Sequence, residues 1–487
     1  FIRMFGGASS GGSAKVRVCF QGKRYPQRQR KTDELPGGAA LSPSPSLPAI
    51  TQSDSVFERR RPNISLPEST VTSQSKLDID PSTLTDFEAF AILAGVFTSV
   101  GILTLPRAVE VTGWFSLIVW MIVFTCAGIG CYLLSAVKDI ANAEEGSLST
   151  GYIGTIIWAL GKGPGLVLLA FLVVEHTGTA AVLMASTWET LYVLATSSDE
   201  FWTLLLVSLG IYVLLCIPRS LRYVAWTSFA SFGCAVAMAL VLSILVMGGD
   251  VPNTSSDKSP GEHTDKTLLG IGLALFASAI GVPATVTVRT NMRSSSHFGI
   301  ILVSSLLFSG CIALVVAVCG RLRYQSLTQN LITLNLSAES SLLGPFAAAL
   351  GCASSGFIAH TTISLFSVHI QAGFGVLFAK RKRGSSALHV RLLSLLLQLA
   401  VLVVFVFLAS FLTAEIEVMS AGIGLLCVPV TAVGLPAIMF LKESWPYENG
   451  VWRCVPLSML IVVTLLLTVC GGAAWRHAIS YYLTNSN

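Results

Sequence analysis

Two stretches of this sequence set small, hydroxyl-bearing and helix-breaking residues inside runs that are otherwise apolar. One is Ser99-Val100-Gly101-Ile102-Leu103-Thr104-Leu105-Pro106; the other is Ala279-Ile280-Gly281-Val282-Pro283. Glycine and proline both weaken a helix. In a membrane, a helix breaks only where its backbone polar groups line a cavity or are buried in protein. A broken helix offers two kinds of ion site: half-helix N-termini favour a carboxylate, and unpaired carbonyls favour a cation. Ser99, Gly101 and Ile102 in the first stretch, with Ser278 and Gly281 around the second, are therefore candidate ligands for a small zwitterion. The same residues also fit two unrelated packing kinks, because glycine and proline are common in membrane helices.

Ionisable groups inside apolar runs form the second candidate set. Glu175 and His176 lie near the middle of a long apolar segment. An unpaired charge at such depth costs about 3 kcal/mol or more, so these groups face a cavity or a partner. Glu175 is a candidate for taking up and releasing a proton, with His176 or His360 as its partner. A protonated Glu and a neutral His hydrogen-bonded between helices would satisfy the same pattern. Thr361 and Thr362 offer hydroxyls either to a cation or to neighbouring helices. Eleven cysteines are present without a C-x-x-C pair, and apolar packing accounts for them. The sequence supplies no constellation for a metal, a cofactor or a nucleophile, so neither an enzyme nor a bound cofactor is expected.

The elements that hold these residues are legible in the composition. The chain has 487 residues, 53% hydrophobic and 12% charged, with a mean hydropathy of +0.71. Soluble domains carry about 25% charged residues, so lipid is the implied solvent. A net charge of +5 gives no basic stripe for nucleic acid. Residues 1–85 are rich in Gly, Ser, Pro, Gln and Arg and lack an apolar period, which predicts a disordered basic cytosolic tail. Its first 32 residues hold eight Lys/Arg and no acid, a pattern that organellar transit sequences share.

Eleven apolar runs follow, at 87–111, 113–137, 164–194, 201–217, 223–248, 267–290, 297–320, 341–375, 392–412, 418–441 and 452–474. Each nears or exceeds the roughly 20 residues that cross a bilayer. They lack the alternation of a β-barrel. With the N-terminus inside, the Lys/Arg count is thirteen inside against six outside, which favours a cytoplasmic N-terminus and a non-cytoplasmic C-terminal tail at 477–487. Two sequons, at Asn253 and Asn335, then fall in outer loops. The two interrupted stretches occupy the first and sixth spans, corresponding positions in two five-helix halves.

The segment Gly101–Trp114, "GILTLPRAVEVTGW", strongly resembles the first-helix signature of the amino acid/auxin permease family. The matching positions are Gly101, Ile102, Leu103, Leu105, Pro106, Ala108, Gly113 and Trp114. Glu175 is similar to the acidic residue opening the third helix of vacuolar and vesicular members, and Glu189 falls where they often carry Asp. "PRSLRYVAWTS" at 218–228, "ITLNLS" at 332–337, and Phe276, Ala277, Met292 and Phe298 extend the resemblance from about 86 to about 445. One departure stands out. Many members place His or Gln before a proline in the sixth helix and Met six residues after it, whereas here Pro283 precedes Met292 by nine and no such His or Gln is present.

The resemblance implies an all-α membrane domain over 86–476 with eleven helices. Its implied plan is an inverted five-plus-five repeat, with the first and sixth helices broken and one extra C-terminal helix. It also implies amino-acid substrates carried with H+ or Na+ by alternating access, at a vacuolar or lysosomal type of membrane or at the plasma membrane. The second expectation, from another class, is a non-transporting receptor that senses amino acids and signals through the N-terminal tail.

Overall fold

A computed structural model describes residues 84–98, 101–145, 151–195, 221–248, 263–278, 281–378, 416–444 and 453–468, with isolated positions 200, 203, 400 and 404. The expected tail before Leu84 and the expected spans 201–217 and 392–412 lie wholly or almost wholly outside them. The described helices are α1 Asp86–Thr98, α2 Gly101–Thr112, α3 Phe115–Glu145, α4 Gly151–Leu160, α5 Lys162–Leu194, α6 Leu221–Gly248 and α7 His263–Phe276. They continue as α8 Val282–Asn291, α9 Phe298–Tyr324, α10 Ile332–Ser337, α11 Leu343–Phe378, α12 Ile416–Leu426, α13 Leu435–Ser444 and α14 Arg453–Thr468. Among the described residues, seven helices are long and apolar enough to cross a membrane, and α14 and residues 266–276 of α7 are shorter apolar helices.

Local chemistry sets the boundaries. Thr85 and Glu88 form a reciprocal cap at the start of α1: Glu88 N donates to Thr85 Oγ1 at 3.2 Å, and Thr85 N donates to Glu88 Oε2 at 2.8 Å. Asp86 and Glu88 also place negative charge at the positive end of the helix. Leu84 just before the cap is fully buried and bridges Met292, so the packed domain begins ahead of residue 86. Gly113 turns the chain from α2 into α3 with φ of 70°, a conformation that favours glycine. The 31 residues of α3 extend about 46 Å, more than the roughly 30 Å of hydrocarbon.

Small residues and hydroxyls hold the bundle together. α6 packs on α11 through Ser231–Ser354 and Ser228–Thr361, whose oxygens are each 3.1 Å apart. α5 meets α11 through Thr187–Ser355 at 3.0 Å and α10 through Thr190–Thr333 at 2.8 Å. α7 lies against α12 with Gly272 and Gly424 in backbone contact. In lipid there is little hydrophobic drive between helices, so close packing and interhelical bonds of about 0.6 kcal/mol each carry the association. Ile118, Ile122, Leu240, Ile300, Leu307, Ile461 and Leu465 are exposed on α3, α6, α9 and α14, as a lipid-facing surface requires.

Asn335 differs from its expectation as a glycosylation site. It is buried, its Oδ1 accepts from Gln329 N and its Nδ2 donates to Leu327 O, both at 2.8 Å. Its amide fixes the loop before α10 and is not presented to solvent. Asn253 lies outside the described residues.

Candidate functional site

The sixth span is interrupted. α7 stops at Phe276, Ala277 and Ser278 turn, Gly281 turns again, and α8 starts at Val282. Ser278 N donates to Leu275 O at 3.0 Å and its hydroxyl to the same carbonyl at 2.7 Å, which tightens the last turn and ends it. Pro283 sits in the first turn of α8, where its missing N–H leaves nothing unpaired. Ala279 and Ile280 lie outside the described residues.

The first span runs directly against this interruption. α1 and α2 together make a 27-residue span and flank residues 99 and 100, which lie outside the described residues, as therefore does Ser99. A Cβ on Gly101 would stand 2.4 Å from Ala277 Cα and 2.7 Å from Ala277 O, so the two backbones touch. One turn earlier the Phe97 ring fills the space beside Gly281, where a Cβ would meet it at 2.5 Å. Gly101 and Gly281 are thus brought together by two close approaches that only glycine permits. Ile102 and Ser278 are buried beside them.

Pro106 lies inside α2 and does not mark the break. It lacks the N–H that would bond the carbonyl four residues back, which leaves the Ile102 peptide oxygen without its helical donor. The Thr104 hydroxyl is buried in the same turn and has no hydrogen-bond partner. Behind the first span, Thr98 Oγ1 donates to Ser309 Oγ at 2.9 Å, and Ser309 Oγ donates to Ala94 O at 3.0 Å, which tie it to α9. Ile102 and Leu103 then open into a small cavity lined also by Ala235, Met238, Ser354, Ser355 and Ile358.

The candidate ion-linked residues do not form one cluster. Glu175, in α5, is 2% exposed and faces Thr431, Cys427 and Tyr152, and its Oε2 has no hydrogen-bond partner. Thr431 belongs to a π-helical turn at Pro429–Gly434 between α12 and α13. π-turns of this kind are frequent at functional positions. Thr179, one turn above Glu175, is also fully buried with an unpartnered hydroxyl. His176 directs Nδ1 at Leu172 O, 3.0 Å away, and His360 packs edge-on to Tyr223 with centroids 5.8 Å apart. Thr361 engages Ser228 as an interhelical bond, whereas the Thr362 hydroxyl is buried and unpartnered.

Charged groups gather at the two ends of the bundle. At one, Arg107 binds Glu110 at 2.8 Å, Glu417 at 3.0 Å and Thr328 O at 3.1 Å, joining α2, α12 and the loop before α10. Arg323 and Tyr324 both hold Glu339 there. At the other, His297 meets Asp86 at 2.6 Å, Arg222 meets Glu88 at 3.6 Å, and Arg289 pairs with Asp139. The residues that sequence reasoning missed are Phe97, the cavity wall from α6 and α11, and the Arg107–Glu417 pair. Ser354-Ser355 inside an apolar run was a visible signal for the wall. Ala277 is marked in the sequence only by the family resemblance, because its contact is fixed by the glycine opposite.

An interrupted helix in close backbone contact with a second span, inside a polytopic helical bundle, is the kind of place where secondary transporters put substrate and ion sites. The comparisons with known proteins narrow the class. The model of the transmembrane amino acid transporter protein family matches residues 82–476, and the chain belongs to that family. Vacuolar amino acid transporter 4 of Saccharomyces cerevisiae (strain ATCC 204508 / S288c) is 26% identical over 258 residues, covering 51% of this chain and 35% of the yeast protein. The match thus spans about a third of that relative's length. The crystal structure of MhsT in complex with L-phenylalanine superposes with a TM-score of 0.55 at 13% identity, over 80% of this chain and 98% of the other. At that identity the likeness concerns the fold.

Proposed function

We propose that this protein is a secondary active amino-acid transporter that works by alternating access between inverted halves, with substrate bound where the first and sixth helices come apart. The observation that carries this reading is the backbone contact of Gly101 with Ala277 beside the interrupted sixth helix. α8 begins there, and its positive end suits a carboxylate. α7 ends there, and its last carbonyls, with the Ile102 carbonyl left over by Pro106, suit an ammonium group. Ser99, Gly101, Ile102, Ser278 and Gly281 are the substrate-binding residues of this reading.

The transported H+ or Na+ is the coupling ion. Glu175 carries the proton-linked role, buried against Thr431, Cys427 and Tyr152, with His176 beside it in the chain. Thr361 and Thr362 are the hydroxyls of a cation position on α11, and the unpartnered Thr362 supports it. The Asp86 end is cytoplasmic, in accord with the Lys/Arg count, and the membrane is of vacuolar or lysosomal type or the plasma membrane. The test is tracer uptake into vesicles reconstituted with the full chain under an imposed pH or sodium gradient. Gradient-dependent uptake of an amino acid is expected; no gradient-dependent flux of any amino acid would overturn the proposal.

A further inference from the structure

The cavity beside the helix break has a chemical character that the break itself does not dictate. Its walls are Ile102 and Leu103 from α2, Ala235 and Met238 from α6, and Ser354, Ser355 and Ile358 from α11. Ile102 follows Gly101 directly, so the cavity adjoins the peptide groups that face the sixth helix. We infer that this cavity receives the substrate's side chain and selects uncharged aliphatic and thioether amino acids over cationic and anionic ones, an inference that rests on the proposed transport of amino acids through the break.

The two serines decide the polarity. Ser231 and Ser354 bond each other reciprocally: Ser231 Oγ donates to Ser354 O at 2.9 Å and Ser354 Oγ to Ser231 O at 3.0 Å. Ser355 Oγ donates to Cys352 O at 2.9 Å and meets Thr187 Oγ1 at 3.0 Å. Both hydroxyls are therefore engaged between or within helices, and the lining that remains toward the cavity is mostly apolar, with the Met238 thioether part of it. None of the seven lining residues is ionisable. A lysine, arginine or glutamate side chain would lose its hydration there and find no counter-charge, which is costly in an apolar site.

Met238 sets the size. The cavity is small in this form, in which ion pairs join helices at both ends, and methionine is the side chain that repacks most readily. Gly351 makes room for it: a Cβ there would stand 2.8 Å from Met238 Sδ and 2.5 Å from Thr333 Cγ2. Adding that carbon pushes Met238 into the cavity, and shortening Met238 enlarges it.

The experiment is a substrate panel on the reconstituted full chain, with leucine, methionine, phenylalanine, lysine, arginine and glutamate under one gradient. Binding of tritiated leucine to the purified protein is measured in parallel. Leucine and methionine are expected to exceed the three charged amino acids by on the order of 100-fold in kcat/KM. Met238→Ala should raise the phenylalanine-to-leucine ratio by about tenfold, and Gly351→Ala should lower it. Ratios are read within one variant, so a reduced yield of folded protein does not obscure them. Lysine or glutamate carried as well as leucine, or ratios unmoved in both variants, would overturn the inference while leaving transport standing. Loss of flux for every amino acid would instead remove the transport reading, and leucine binding displaced by lysine or glutamate would then overturn the pocket as well.

Discussion

At the scale of single residues, Glu175 is the group whose chemistry is most exposed to test. It lies in α5 against the π-turn at Pro429–Gly434 and away from any basic partner at hydrogen-bonding distance among the described contacts. Glu175→Gln keeps the shape and the hydrogen-bonding capacity but cannot gain or lose a proton. The variant should remain folded and should flatten the pH dependence of uptake; a native pH profile would make Glu175 a structural residue. Gly281 and Pro283 were legible in the sequence because glycine and proline are the residues that tolerate or enforce a break, and Gly101 because a close backbone approach needs glycine. The partner of Glu175 was not. His176 and His360 were the expected candidates, and Thr431 contributes instead, because contact across helices depends on rotation about helix axes that sequence spacing does not fix.

Elements were legible to different depths. The long apolar runs at 87–111, 113–137, 164–194, 223–248, 297–320, 341–375 and 418–441 correspond to the seven long apolar helices, since hydropathy and length follow from bilayer thickness. The run 267–290 resolves into α7 and α8 around the turn at Gly281, as its Gly and Pro suggested. The π-turn near Pro429 and the helix α4 carry no comparable signal: one depends on a shift of hydrogen-bond register, the other on docking beneath α5. The hydroxyl links between helices were visible only as scattered Ser and Thr. Their weight is measurable at Ser309, which accepts from Thr98 and donates to Ala94 O. Ser309→Ala should cost about 1 kcal/mol, seen as a lower thermal midpoint in detergent, with transport retained at low temperature.

At the scale of the whole molecule, the bundle is joined at both ends by ion pairs that cross between helices. Arg107 joins α2 to α12 at one end, and Asp86, Glu88 and Asp139 hold His297, Arg222 and Arg289 at the other. In the proposed alternating-access cycle, each set parts in turn. Glu417→Gln should weaken closure at the Arg107 end and slow coupled uptake, and Glu417→Asp should restore part of it; native rates in Glu417→Gln would make the pair a static brace. Removal of residues 1–83, which keeps buried Leu84 as the first retained residue, should leave uptake intact in a transporter. In a receptor that signals through its tail, it would abolish the response while ligand binding persisted.

The most direct test of the helix-break site is leucine uptake by the Gly101→Leu variant beside the native chain, in the same vesicles and under the same gradient. The larger side chain has no space against Ala277, where even a Cβ would stand 2.4 Å from the neighbouring Cα. Loss of both leucine binding and uptake, in a protein that still elutes as a folded monodisperse species, is the predicted result. Native affinity and flux in that variant would place the substrate elsewhere and contradict the account.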